Sequence, residues 1–214
     1  MPGIRFDAVL FDLLTALLDS WTLWNGVAGS EESGRKWRAA YLRRTYAAGR
    51  YRPYETLVAE AASEVELPPA LAVRLASRYD ELKPWPEVRD VLGTLLCRGL
   101  RLGVVTNCSE ALGATAVACT GIHFDVVVTA ERVGYYKPDS RPYEQALAEL
   151  GATAGQCVFV AGSAYDLFGA SRVGLPTYWH DRIGMKPPPN VPAPLAYHRT
   201  LHPLLDVVRR STAG

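Results

Sequence analysis

No stretch of this sequence approaches the roughly 20 consecutive apolar residues that a membrane-spanning helix needs, so a membrane role is not expected. Cysteine is scarce. Cys97, Cys108, Cys119 and Cys157 show no CxxC and no zinc-type spacing. That argues against a disulfide framework or a structural zinc and for a reducing, cytoplasmic setting. An excess of one charge sign is also missing. Lys and Arg number 23 against 22 Asp and Glu, a formal net charge of +1. Nucleic acid and anionic membrane surfaces are therefore not expected partners, and an anionic ligand would have to be held by a local site. The opening MPGIRFDAVLF has a single Arg and runs straight into a strand pattern, so no secretory leader is expected.

One further absence is local. In FDLLTALLDS the apolar run VLF ends on a lone carboxylate, Asp12, and Leu14 stands two residues later. A metal-dependent phosphoryl-transfer site would want a second acid there.

What the sequence does have is rhythm. Five short runs are almost continuously apolar: FDAVLF (6–11), RLGVVT (101–106), DVVVT (125–129), CVFVA (157–161) and PTYWH (176–180). Such runs mark parallel strands buried on both faces. Helical patterns lie between them at 87–99, 109–118, 140–151 and 166–173, and Gly99, Gly121, Gly151 and Gly174 stand where these should stop. Strand–helix alternation predicts an α/β fold, a Rossmann-like doubly wound parallel sheet with right-handed crossovers. Residues 20–83 break the rhythm. They read as helices at roughly 31–48, 54–66 and 69–82 and are too long for a simple crossover. They are expected to form a helical cap inserted into a core made of 1–19 and 84–214, with LKPWPE (82–87) as the stiff return linker. MKPPPNVPAP (185–194) reads as a Pro-rich surface spacer.

Ligands in doubly wound sheets bind at the carboxyl ends of the strands. The polar residues there are Asp12, Thr106 with Asn107, Lys137 in YYKPDSRPY, and Ser163 with Asp166 after the fourth strand. Their order predicts one crevice. Asp12 would be ionised and kept so by Lys137. Thr106, Asn107 and backbone N–H groups would orient it or receive developing charge. A carboxylate so placed can act as a nucleophile through a covalent ester. Taken singly, each residue is as well explained by a cap, a turn or a solvated side chain.

With these residues in order, the chain resembles the haloacid dehalogenase superfamily and, within it, the L-2-haloacid dehalogenases. The likeness rests on VLFDLLTALLD, LGVVTNCS, YYKPDSRPYEQAL, VFVAGSAYDLFGA and PTYWHDRIG, and on Arg38 after Trp37 in KWRAAYLRRTY. The resemblance implies roles. Asp12 would be the nucleophile, Lys137 its partner, and Asp166 the group that helps to activate water. Arg38 would hold part of the substrate, with Leu14 beside it. Thr106 and Asn107 would take a carboxylate or the leaving group, and Tyr143 and Ser163 would support the site.

It also implies a substrate that is a small anionic 2-substituted carboxylic acid, and neither metal nor cofactor. Superfamily phosphatases carry acids where Leu14 and Ala161 stand here. The dehalogenase pattern has an aromatic residue, Gly and Thr where this chain has Leu14, Thr15 and Ala16, and Ser and Asn where it has Ala161 and Ser163. Fewer groups to hold the water would make ester hydrolysis the slow step. Two alternatives stay open at this point: a phosphatase with an eroded magnesium site, and a binding protein that keeps the fold without turnover. A homodimer is compatible with the pattern.

Overall fold

The computed structural model describes residues 6–208. Of the core expected at 1–19 and 84–214, residues 1–5 and 209–214 lie outside the described residues. The element order is β1 (Ala8–Phe11), α1 (Ser20–Ala28), α2 (Glu31–Ala48), α3 (Tyr54–Glu64), α4 (Leu71–Ala76), α5 (Val88–Cys97), β2 (Arg101–Thr106), α6 (Glu110–Thr120), β3 (Val126–Thr129), α7 (Ala130–Val133), α8 (Arg141–Leu150), β4 (Cys157–Ala161), α9 (Ala164–Arg172), β5 (Thr177–His180), β6 (Ala196–His198) and α10 (Leu204–Val207).

All strand pairs are parallel and the sheet order is β3-β2-β1-β4-β5-β6. The α/β doubly wound reading holds, and the reason is visible in β1. Val9 and Phe11 pack with one core cluster and Ala8 and Leu10 with the other, one on each side of the sheet. A strand alternates its side chains between faces; when both faces are covered, the run must be apolar throughout. The chain order places β1 between β2 and β4, with registers Phe11↔Val104 and Phe11↔Val160. The ends of three strands therefore meet around Asp12.

Helices α1 to α4 form the helical insertion. α1 packs on α2, α2 on α3, and α3 on α4. Gly34 permits the first contact, because a Cβ there would lie 2.2 Å from Asn25 Oδ1 and 2.6 Å from Asn25 Cα. Trp24 and Trp37 meet across that crossing with ring centroids 4.6 Å apart. The two connections to the core run side by side: Asp19 N–H donates to Lys83 O at 2.7 Å, and Trp85 N–H to Leu17 O at 3.0 Å.

Several elements differ from the sequence expectation. α1 is not among the expected helices, although Leu23, Trp24 and Val27 are buried at helical spacing and Thr22 and Gly26 are exposed. The helix expected at 69–82 is α4 followed by a separate 3-10 turn at Tyr79–Glu81. There Tyr79 turns inward to the Tyr54 hydroxyl, and Arg78 pairs with Glu81 across the turn at 2.6 Å. β6, α7 and α10 are three or four residues each and too short to carry a periodic signal. Among the described residues no helix is long and apolar enough to cross a membrane.

Candidate active site

Asp12 is the first residue after β1, and its backbone N–H still donates to Val160 O of β4 at 2.9 Å. The chain then turns tightly through residues 13–17. In that turn the Thr15 amide donates to Asp12 Oδ2 at 2.9 Å, the Thr15 hydroxyl at 2.5 Å and the Ala16 amide at 3.3 Å. The other carboxylate oxygen, Oδ1, accepts from Lys137 Nζ at 2.7 Å. Gly162, after β4, is what lets this turn sit down: a Cβ there would lie 2.2 Å from Thr15 Oγ1 and 2.3 Å from Ala16 N.

Lys137 sits in the loop before α8 and is buried, as are Asp12 and Asp166. Its ammonium lies 2.7 Å from Asp12 Oδ1 and 3.0 Å from Asp166 Oδ1. One cation serves two carboxylates, and they respond differently. Burial pushes the Asp12 carboxyl up, but Lys137 and the Thr15 donors outweigh it and hold it below the ordinary range. Burial dominates at Asp166. With Asp12 adding repulsion and Lys137 opposing, its carboxyl is pushed up to about 6. Burial lowers Lys137, yet the two carboxylates win and its pKa is raised. The Tyr143 hydroxyl lies 3.3 Å from both the backbone oxygen and Oδ1 of Asp166.

These groups form the floor of a small cavity, with about 40 Å³ of space for water centres. The opposite wall is α2, which presents Arg38, Tyr41, Leu42 and Thr45 at helical spacing. Arg38 is 2% exposed, and its guanidinium carbon lies 4.6 Å from the Trp21 ring centroid and 5.2 Å from that of Trp24. Its Nε and Nη1 have no hydrogen-bond partner among the described residues, and no carboxylate there pairs with it. A buried, unpaired guanidinium is costly; the arrangement stores a demand for an anion. The mouth is narrowed by Tyr46 of α2, whose ring meets Tyr165 at 5.0 Å and Phe168 at 5.9 Å.

The residues singled out from sequence come together with three differences of detail. Asp12, Leu14, Arg38, Thr106, Asn107, Lys137, Ser163 and Asp166 all line the cavity, and Tyr143 stands behind it against Asp166. Asn107, however, spends its amide on Lys137. Its Oδ1 accepts from Lys137 N–H at 2.7 Å, and its Nδ2 donates to Lys137 O at 3.2 Å. It is chiefly a clamp on the lysine loop. The Thr106 hydroxyl points to Cys108 Sγ at 3.3 Å, and the Ser163 hydroxyl caps α9 by accepting from Tyr165 N–H.

Sequence reasoning passed over Thr15 as a donor to Asp12 and Tyr41, Thr45, Tyr46 and Tyr165 as wall residues. The α2 set was findable: once Arg38 is singled out, positions 41, 42 and 45 follow on the same helix face. The Leu14 and Ala161 side chains offer no oxygen to a cation, and a hard divalent ion wants several. The residues present do not fit a magnesium site. Among the described residues no cluster of three or more His, Cys, Asp or Glu is arranged to hold a metal.

The model of the haloacid dehalogenase-like hydrolase family matches residues 6–174. The chain belongs to that family. It is 38% identical over 112 residues to an (S)-2-haloacid dehalogenase of Pseudomonas sp. (strain YL), a match spanning 51% of this chain and 48% of that one. The chain thus spans about half the length of that relative. It is 28% identical over 195 residues to the (S)-2-haloacid dehalogenase of Pseudomonas putida, covering 85% of each. Among solved structures, an L-2-haloacid dehalogenase superposes with a TM-score of 0.83 at 27% identity, covering 95% of this chain and 99% of that one. The match extends over the parallel-sheet core and the inserted helices together.

Proposed function

We propose that this chain is a 2-haloacid dehalogenase that works through an ester on Asp12, without metal or cofactor. The observation that carries the reading is the pairing of an ionised, buried carboxylate with an unpaired, buried guanidinium across one cavity. A small 2-halo carboxylic acid supplies what both lack. Its charge satisfies Arg38, and its electrophilic carbon faces Asp12.

The hydrogen bonds divide the labour between the two Asp12 oxygens. Oδ2 has three donors from Thr15 and Ala16. Among the described residues, Oδ1 has only Lys137. Oδ1 is the better nucleophile, and Oδ2 is already held in a set of donors that stabilise a carbonyl oxygen turning into an oxyanion. Attack by Oδ1 on C2 forms the ester as the carbon–halogen bond breaks and the electron pair leaves with the halide. Halide needs no proton, which is why an acid at position 14 is dispensable. Water, deprotonated by Asp166, then adds to the Asp12 ester carbonyl. Charge collects on Oδ2, and collapse breaks the bond from the carboxyl carbon to Oδ1. The alkoxide leaves with Oδ1 and takes the proton from Asp166 to become the 2-hydroxy acid, and Asp12 loses its remaining proton to solvent. Lys137 stays cationic throughout and binds whichever carboxylate is charged.

In this reading residues 20–83 act as the cap, and the paired connections at Asp19–Lys83 and Leu17–Trp85 are the hinge. The small cavity and the aromatic mouth favour short side chains on the substrate. The enzyme is taken to be cytoplasmic. The test is halide release from each enantiomer of 2-chloropropionate, with and without a chelator. One enantiomer should release chloride at a rate the chelator leaves unchanged. Release that strictly requires added magnesium would sink the proposal, as would phosphate release from a phosphomonoester with no halide release at all.

A further inference from the structure

Tyr41 and Arg38 are the two cavity-lining residues with a buried side-chain polar atom that finds no hydrogen-bond partner among the described residues. Tyr41 lies on α2 one turn after Arg38 and lines the same cavity. Only 3% of it is exposed, and its hydroxyl finds no hydrogen-bond partner among the described residues. Its ring does not need that hydroxyl to pack, since it meets Trp24 at 5.4 Å and Tyr54 at 5.2 Å edge to face. A buried hydroxyl left unpaired costs free energy that a phenylalanine would not incur.

The other donors around the cavity are largely engaged. The Asn107 amide holds the Lys137 backbone, the Thr106 hydroxyl meets Cys108, and Lys137 bridges Asp12 and Asp166. Among the described residues, the buried donors left over on the cap wall are Arg38 and Tyr41.

The geometry of displacement says what they face. Attack on C2 is in line, so the departing group lies on the side of the carbon away from Asp12. Asp12 is on the core floor, and the side away from it is the α2 wall. Negative charge grows on the halogen only as the bond breaks, so a donor placed there acts in the transition state and little in the ground state.

We propose that Tyr41 is a leaving-group residue, its hydroxyl donating a hydrogen bond, beside Arg38, to the halide that departs from C2. This deepens the dehalogenase reading and rests on it for the substrate. The carbon–halogen bond breaks, its electron pair leaves as halide, and the phenol keeps its proton. Burial, together with the neighbouring hydroxyls of Tyr54 and Tyr136, raises the Tyr41 phenol well above its ordinary value and keeps it a donor.

Two measurements on Tyr41→Phe test the assignment, with circular dichroism to confirm that the ring still packs. The first does not need turnover. Bromide is titrated into the wild-type protein and the variant, read by fluorescence of Trp21 and Trp24 beside Arg38. Loss of a hydrogen bond to an anion weakens binding by roughly tenfold or more, so bromide affinity should fall by about that factor while propionate affinity holds. The second compares substrates. Turnover of 2-chloropropionate should fall more than that of 2-bromopropionate, because chloride is the poorer leaving group and the stronger acceptor.

Unchanged bromide affinity would overturn the assignment. An equal loss for both substrates with KM raised alike would also overturn it, by placing Tyr41 on the carboxylate. If the wild-type protein binds bromide through Tyr41 but releases no halide from any haloacid, the dehalogenase reading fails and the halide site stands.

Discussion

Lys137 stands between two carboxylates at 2.7 and 3.0 Å, and the nearer one wins the charge. Asp12 is held ionised by Lys137 and the Thr15 and Ala16 donors, and Asp166 is left with a carboxyl at about 6. If Asp166 must be ionised to activate water, hydrolysis of the ester should fall in acid, at a pH below the free site's value of about 6, because esterified Asp12 no longer repels Asp166 and Lys137 is left to it. The pH–rate profile of the hydrolysis step in single turnover checks this; an acid limb unchanged in Asp166→Asn would remove Asp166 from that role.

Stability moves the other way. The folded carboxyl sits above its ordinary 3.8, so its contribution to stability is present below that value and is lost as pH rises through about 6. Asp166→Asn cannot ionise. Its stability relative to the wild-type protein should improve between pH 5 and 7 by on the order of 1–3 kcal/mol, read by denaturant titration at each pH. At this scale the sequence was legible in its chemistry but not in its bonding. Asp12, Lys137 and Asp166 are marked by their places after strands. Nothing in the letters says that Asn107 will hold the lysine backbone or that Thr15 will reach back to Asp12, because both depend on how a loop closes.

α2 is the element on which the account turns, since it carries Arg38, Tyr41, Leu42, Thr45 and Tyr46 to the cavity. Its seating on α1 depends on Gly34, where a Cβ would press on the Asn25 backbone. Gly34→Ala should therefore push α2 off α1. Overpacking of this kind costs about 1–3 kcal/mol, which thermal unfolding would register, and the displaced Arg38 and Tyr41 should lower turnover as well. A silent Gly34→Ala would mean that the crossing is not tight.

Elements with a strong pattern were readable. The continuous apolar runs named β1 to β5, and α2 begins at its Ser30 cap, which accepts from Ser33 N–H, with Glu31 and Glu32 in the first turn. α1 was an element that sequence reasoning missed: Asp19 caps it through Thr22, and Leu23, Trp24 and Val27 are buried at helical spacing, but it is nine residues long with Gly26 inside it.

At the scale of the molecule, the parallel sheet order places β1 centrally, and the insertion after it swings a helical wall over the end of that strand. Alternation of strand and helix made this architecture legible from the sequence, and the long strandless segment made the insertion legible. The contact between the two parts was not. Besides the paired connections, Tyr51 N–H donates to Gly134 O and Tyr136 N–H to Gly49 O, each at 2.8 Å, so the far end of α2 is fastened to the core as well. A cavity fastened at both ends suits a small substrate and keeps out bulk solvent. It also explains how Arg38 can stay buried without a counter-ion among the described residues: the wall is held in place by bonds elsewhere.

The central claim is that Asp12 itself becomes the ester. Water then enters the carboxyl of Asp12 before any solvent oxygen reaches the product. A single turnover of 2-chloropropionate in oxygen-18 water, with enzyme in excess, should label the peptide that contains Asp12 and leave the 2-hydroxy acid largely unlabelled. Label in the product with none on Asp12 would make Asp12 a base or a structural cap and contradict the account.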